Sequence, residues 1–219
     1  MRTVLAIFLI AAATAVTAQT HDHAPTALRS ASRLSQDKAQ SESWTYIDPA
    51  ADFKGYRAVL VDDTALYSGP EADFGKISRE DRVRYAGVFT ARLRSELGKS
   101  ITLASAAGPG VLRIKFTIIE MKETVGGVAT ATRVLPVGLA MSALSSLRDK
   151  PGRMTGSVLA AAEFTDSKSG KLLAAAVRRR SPDALNIKST LSTEQTVEAV
   201  AGEFARRVAE ALREAGMAG

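Results

Sequence analysis

Asp62 and Asp63 are the residues of this 219-residue chain best placed by type and spacing to do chemistry. Two carboxylates can divide acid and base roles, or hold a cation, when their environments face one another. Both lie near the end of a predicted strand, where successive side chains point to opposite sides. The spacing therefore predicts a solvated strand end in preference to a shared proton or metal. Arg178-Arg179-Arg180 obeys the same geometry, and alternation divides that run between two faces, as on an edge that resists aberrant pairing.

Other chemistries lack their parts. The two histidines, His21 and His23, precede the region where folding signals begin, so the folded part lacks the commonest general base. No serine sits in a Gly-x-Ser-x-Gly elbow. Gly98-Lys99-Ser100 resembles the end of a phosphate loop, but Leu93 stands where the pattern needs its first glycine. The triplet also follows a helix, whereas phosphates are held at helix N-termini. With no cysteine, the chain has no thiol nucleophile, thiolate metal site or disulfide. The sequence is accordingly read as carrying no catalytic, cofactor or metal set in its folded part. One exposed possibility remains at the N-terminus. Cleavage after Ala18 would expose Gln19-Thr20-His21, an amine with histidine third, which can wrap Cu²⁺ or Ni²⁺ in a square plane unless the glutamine cyclises.

That cleavage is expected from residues 1–18, read as a signal peptide. Arg2 supplies the basic start, Val4 to Val16 an apolar core, and Val16-Thr17-Ala18 the small residues before a cut at Gln19. The apolar core is about 13 residues long, and a spanning helix needs roughly 20. Formal charge is +6, and losing Arg2 with the leader would lower it by one. Such a mild excess favours anionic lipid or wall polymer over nucleic acid, which would call for stacking aromatics that are scarce here.

Residues 19–43 are polar, without a sustained apolar period, and are read as a flexible linker. Residues 44–219 are read as a single α/β domain beginning at Trp44, with Asp48-Pro49 as its first turn. Arg57 to Leu66 is expected as a central strand, apolar on both faces at Val59-Leu60-Val61. Ser78 to Gly98 reads as an amphipathic helix capped by Ser78, with a left-handed Gly98 at its end and a stripe of Val83, Ala86, Phe89, Thr90, Leu93 and Leu97. A short strand is expected from Ile101 to Ala104, then an alternating strand with Leu112, Ile114, Phe116 and Ile118 on one face and a wet, basic face opposite. Residues Gly126 to Arg133 are read as a loop or weak strand. Pro136 to Leu147 is read as a short apolar helix, either core or interface. Met154 to Asp166 and Leu172 to Arg180 are read as a hairpin turning through Asp166-Ser167-Lys168-Ser169-Gly170. A last helix starts at Ser192, with a stripe of Val197, Val200, Ala201, Phe204, Val208 and Leu212 and a Glu203/Arg207 pair. This order defines an α+β fold with a mixed, mostly antiparallel sheet and two long amphipathic helices packed on it.

Certain of these residues carry a resemblance. Tyr46-x-Asp48-Pro49-x-x-Asp52-Phe53-x-x-Tyr56-x-Ala58-Val59, Pro109-Gly110-Val111-Leu112-Arg113, Pro136-Val137-Gly138, and Glu163-Phe164-x-Asp166-Ser167-x-Ser169-Gly170-x-Leu172-Leu173-Ala174 together resemble bacterial envelope proteins of DUF family 3313, a domain of unknown function. The resemblance runs from about Trp44 to the C-terminus. It implies a Gram-negative envelope setting and supplies no reaction, cofactor or catalytic residue. Many such proteins are anchored by a cysteine at the cleavage point, where this chain has Gln19. The expectation is therefore a periplasmic protein that is not a lipoprotein, a non-enzymatic binding or accessory component whose partner is an envelope protein, lipid or wall polymer. The alternative is an uncharacterised carboxylate-dependent hydrolase or ligand-binding enzyme using Asp62 or Asp63.

Overall fold

The computed structural model describes residues 23–38, 42–123, 156–182 and 192–217. Its longest strand is β5 (Val111–Lys122), in which Leu112, Ile114, Phe116 and Ile118 are fully buried on one face as their alternation dictates. Among the described residues seven strands form one mixed sheet. The others are β1 (Ser35–Gln36), β2 (Ser43–Ile47), β3 (Ala58–Val61), β4 (Ala65–Leu66), β6 (Ser157–Asp166) and β7 (Leu172–Arg180). Their order is β1-β2-β7-β6-β5-β3, with β4 also beside β5. Only the β3 and β4 pairings with β5 are parallel. The β6–β7 hairpin pairs Ala162 with Ala176 and turns at Gly170, whose φ of 73° suits a residue without a Cβ.

Among the described residues two helices lie on one face, α1 (Arg79–Leu97) and α2 (Thr193–Glu214). The hydroxyls of Ser78 and Ser192 accept the Asp81 and Gln195 amides at 3.1 and 3.2 Å, so both caps form as the sequence indicates. Phe89, Phe116 and Phe204, from α1, β5 and α2, meet with ring centroids 5.7 to 6.1 Å apart at the centre of the larger core. The helices approach closely where Gly202 faces Arg92, since a Cβ there would stand 3.2 Å from Arg92 Nε.

Several expectations change. β3 is an edge strand, because Asp62 to Thr64 interrupt the apolar run and only alternate residues, Val59 and Val61, are buried. The segment from Ile101 contributes a single bridge, Leu103 to Val59. Val83 is 60% exposed, because it projects about 120° away from Phe89 at 100° per residue, and Tyr85 takes its place in the buried stripe. Gly98 is right-handed (φ −63°), and the chain leaves α1 through tight turns in which the Ser100 and Ile101 amides bond to Leu97 O. Glu203 pairs with Arg180 (3.5 Å) and Arg207 with Glu210 (3.6 Å), because the end of β7 brings a cation to Glu203.

The largest correction concerns residues 19–43. Residues 23–38 are not a free linker: residues 24–34 lie across the sheet face opposite the helices, with Leu28 buried among Trp44, Tyr67, Ile119, Leu159, Ala161 and Val177, and Ser35–Gln36 join the sheet edge as β1. The expected elements from Gly126 to Arg133 and from Pro136 to Leu147 lie outside the described residues, as do residues 1–22.

Candidate functional site

The second sheet face and the segment across it form the richest polar arrangement among the described residues. Pro25 starts a run of turns in which Ala31 N–H bonds to Leu28 O (3.1 Å), followed by a 3₁₀ turn at Ala31–Arg33. Ala24, Leu28, Ala31 and Leu34 thereby fall on one side, facing the apolar floor. This spacing of four, three and three was the signal available in the sequence, and its weakness lay in two alanines and the serines between.

Three side chains of the sheet side grip the backbone of residues 24–34. Glu71 accepts the Thr26 amide (3.0 Å), the Tyr67 hydroxyl accepts the Ala27 amide (2.8 Å), and Glu163 accepts the Ser30 amide (2.8 Å). Tyr67 in turn donates to Glu71 at 2.6 Å, and His23 Nδ1 lies 3.7 Å from the same carboxylate. Glu71 and Glu163 are each 6% exposed. Burial acts to raise the Glu71 carboxyl, but the hydrogen bonds donated by Tyr67 and Thr26 outweigh it and hold the group at about 2. Burial and the bond to Glu71 raise the Tyr67 hydroxyl above its ordinary range. In the sequence Glu71 carries no spacing signal, and Glu163 enters only as part of a resemblance motif without a role of its own.

A second charged cluster closes the same face. A bulge at Ile118/Glu120 turns both Ile119 and Glu120 away from the helices. Glu120, 2% exposed, meets Arg179 Nη2 at 2.6 Å, while Glu42 receives Arg179 Nε and Nη2 at 2.5 and 2.9 Å. Burial lowers the Arg179 guanidinium, but the bonds to Glu42 and Glu120 more than offset it and the net shift is upward. Arg178 points the other way, to Trp44 O (2.7 Å) and Thr45 Oγ1 (2.6 Å), and Arg180 reaches Glu203. The arginine run is divided between faces as its alternation indicates.

Asp62 and Asp63 are likewise separated. Asp62 is held by Arg113 Nε through both oxygens (2.9 and 2.8 Å), and Asp63 by Arg94 (2.9 Å). Further along the second face, Arg113 and Lys115 are exposed, as is Lys122 at the far end of β5, while Thr117, Ile119 and Glu120 between them are covered. At the hairpin end, Tyr56 donates to Asp166 (3.1 Å), and burial together with that bond pushes its hydroxyl up to about 12. Beside α2, a groove of about 530 Å³ is lined by Ser181, Glu203, Arg206, Arg207 and Glu210, of mixed charge. Gln19-Thr20-His21 lies outside the described residues.

Fold and site together define a class: an α+β protein with a mixed sheet, helices on one face and its own N-terminal segment clamped to the other. The family described as "Protein of unknown function (DUF3313)" matches residues 25–208, and the chain belongs to it. The match takes in residues 25–34 of the clamped segment, ahead of the Trp44 boundary expected from the sequence. No curated protein matches the chain. Among solved structures, a PelC dodecamer from Paraburkholderia phytofirmans is 13% identical over 78% of this chain and 95% of that one, with a TM-score of 0.39. A neuraminyllactose-binding hemagglutinin homologue from Helicobacter pylori is 10% identical over 78% and 91%, with a TM-score of 0.35. A DUF4136 family protein from Bacteroides thetaiotaomicron is 13% identical over 76% and 95%, with a TM-score of 0.34.

Proposed function

We propose that this chain is an exported, periplasmic protein that acts without catalysis, as a binding or accessory component of the cell envelope. One observation carries the non-enzymatic reading: Asp62 and Asp63, the carboxylates the sequence offers for chemistry, and the two buried carboxylates of the second face are all engaged in structural pairings. Asp62 serves Arg113, Asp63 serves Arg94, and Glu71 and Glu163 hold backbone amides. General acid and base work needs two groups poised on one reacting centre, and Asp62 and Asp63 are held by different arginines. The hydrolase alternative thereby loses its pair. Export is supported by the leader read from Arg2 to Ala18. No helix among the described residues is long and apolar enough to cross a membrane.

The partner is an envelope protein, a lipid or a wall polymer, and the open half of the second face, with exposed Lys115 beside the Arg113–Asp62 pair, offers it a polar surface carrying a cation. A photo-crosslinking residue placed at Lys115 in intact cells should capture one discrete envelope component, whereas the same residue at Arg206 in the mixed-charge groove should not. Equal, diffuse labelling from both positions would count against this surface. N-terminal sequencing of the exported protein should begin at Gln19; a start elsewhere would remove the cleavage site and the copper motif together.

A further inference from the structure

We propose that the end of the sheet at the β6–β7 turn docks on the anionic surface of a lipid bilayer. This rests on the envelope reading for its setting and deepens it by naming a partner class for the end of β5 that carries Arg113 and Lys115. Strand ends and the N-terminal arm, residues 24–34, meet there. Arg29 Nη2 donates to Gly170 O (2.6 Å), Arg33 Nη1 to the Tyr46 hydroxyl (3.1 Å), and Lys171 pairs with Asp48 (2.8 Å). The Arg57 amide bonds to Gly110 O (2.9 Å), and the Lys54 side chain lies over Gly216, where a Cβ would stand 3.0 Å from Lys54 Cγ. With Lys168 in the turn itself, folding collects at one end six exposed cations that the sequence scatters from Arg29 to Lys171.

The carboxylates among them leave an excess of positive charge. Asp48 and Asp166 are half-buried and bonded to Lys171 and to Tyr56 and Ser169, so that Asp52 and, at the end of α2, Glu214 are the exposed ones. An apolar tip stands beside these charges. Ile47 is 63% exposed, more than any other large apolar side chain among the described residues, and the turn after it, closed by the Ala51 amide on Asp48 O (2.9 Å), exposes Pro49 and Ala50 as well. A bilayer interface satisfies both features, because anionic headgroups draw the cations while a short apolar tip enters between them. A soluble polyanion matches the charges and leaves Ile47 in water.

Vesicle flotation tests this. The protein, purified as cells process it, should float with vesicles of equal parts phosphatidylglycerol and phosphatidylcholine, less so as salt rises, and not with phosphatidylcholine alone. Arg57→Glu with Lys168→Glu should weaken flotation at least about 25-fold, about fivefold for each cation lost. Lys76→Glu with Arg79→Glu makes the same change of net charge near the opposite end of β5, where Asp73 bridges Glu120, and should leave flotation as in wild type. Ile47→Ser should weaken it about tenfold without altering its salt dependence. No flotation with the anionic vesicles, or equal losses in the two charge-reversed proteins, overturns the inference. An Ile47→Ser protein that floats as well as wild type overturns it too, and assigns the patch to a soluble polyanion. Should a variant fail to fold by circular dichroism, the wild-type chain carries the test: anionic vesicles should slow hydrogen exchange from Ile47 to Ala51 and not at the start of α1, and no slowing there overturns the inference equally. Any of these failures leaves the crosslinking at Lys115 standing, so the two readings fall separately.

Discussion

Burying a carboxylate is costly unless donors meet it, and Glu71 shows how a single side chain can tie a terminal segment to a sheet. Its folded pKa of about 2 lies below the usual 4.5, so its contribution is fully present above pH 4.5 and is lost as pH falls through 4.5 toward 2. A shift of that size corresponds to about 3 kcal/mol. Glu71→Gln should therefore lower urea-unfolding stability at pH 7 by up to that amount and flatten the loss between pH 4.5 and 2; an unchanged acid profile would remove Glu71 from the account. Arg179 is the converse case, a partly buried cation between Glu42 and Glu120. Taking one member from such a cluster costs about 3–5 kcal/mol. Arg179→Leu should shift the urea midpoint accordingly without changing its slope.

The helices show how little of an amphipathic pattern decides which residues matter. Phe89 is fully buried between Phe116 and Phe204, while Val83, six residues earlier and equally apolar, is exposed. Phe89→Ala should cost about 3–5 kcal/mol, by lost burial and the cavity left behind. Val83→Ser should stay within about 0.5 kcal/mol of wild type. Chemical denaturation of the two variants checks both values, and a large effect at Val83 would mean that another surface covers it. The strands divide similarly. β5 to β7 read cleanly from alternation and the turn at Asp166 to Gly170, whereas β3 read as central because its three apolar residues look alike whether a neighbour lies on one side or both.

At the scale of the molecule, the two sheet faces are held by different means. The helix face buries a large apolar core, but the opposite face combines a few apolar side chains with three hydrogen bonds to residues 24–34 and an ion cluster. Segments with few buried apolar groups open at lower free energy than the core. Hydrogen exchange should therefore release the amides of residues 24–34 well before those of β5, β6 and β7, and equal protection of both would make the arm part of the global folding unit. The arm also bears on how the exported form is presented. A cut after Ala18 would leave only four residues before His23, so the proposed mature chain would begin almost at its clamp.

From order and pattern alone came the α+β class, the two helix caps, the β6–β7 hairpin, the buried face of β5 and the family, because each rests on neighbours in sequence: a capping hydroxyl three residues from its amide, a period of two, a turn of fixed chemistry. Even the separation of Asp62 from Asp63 follows from strand geometry. What only the tertiary structure decided are the meetings of distant residues: Ser30 with Glu163, Thr26 with Glu71, Glu42 and Glu120 with Arg179. A polar segment reads as linker when its hydrogen bonds are unknown, since short-range composition is the same whether its amides face water or a buried carboxylate. Only the sheet, by bringing Tyr67, Glu71 and Glu163 to one face, makes an ordered arm of residues that look free in the sequence.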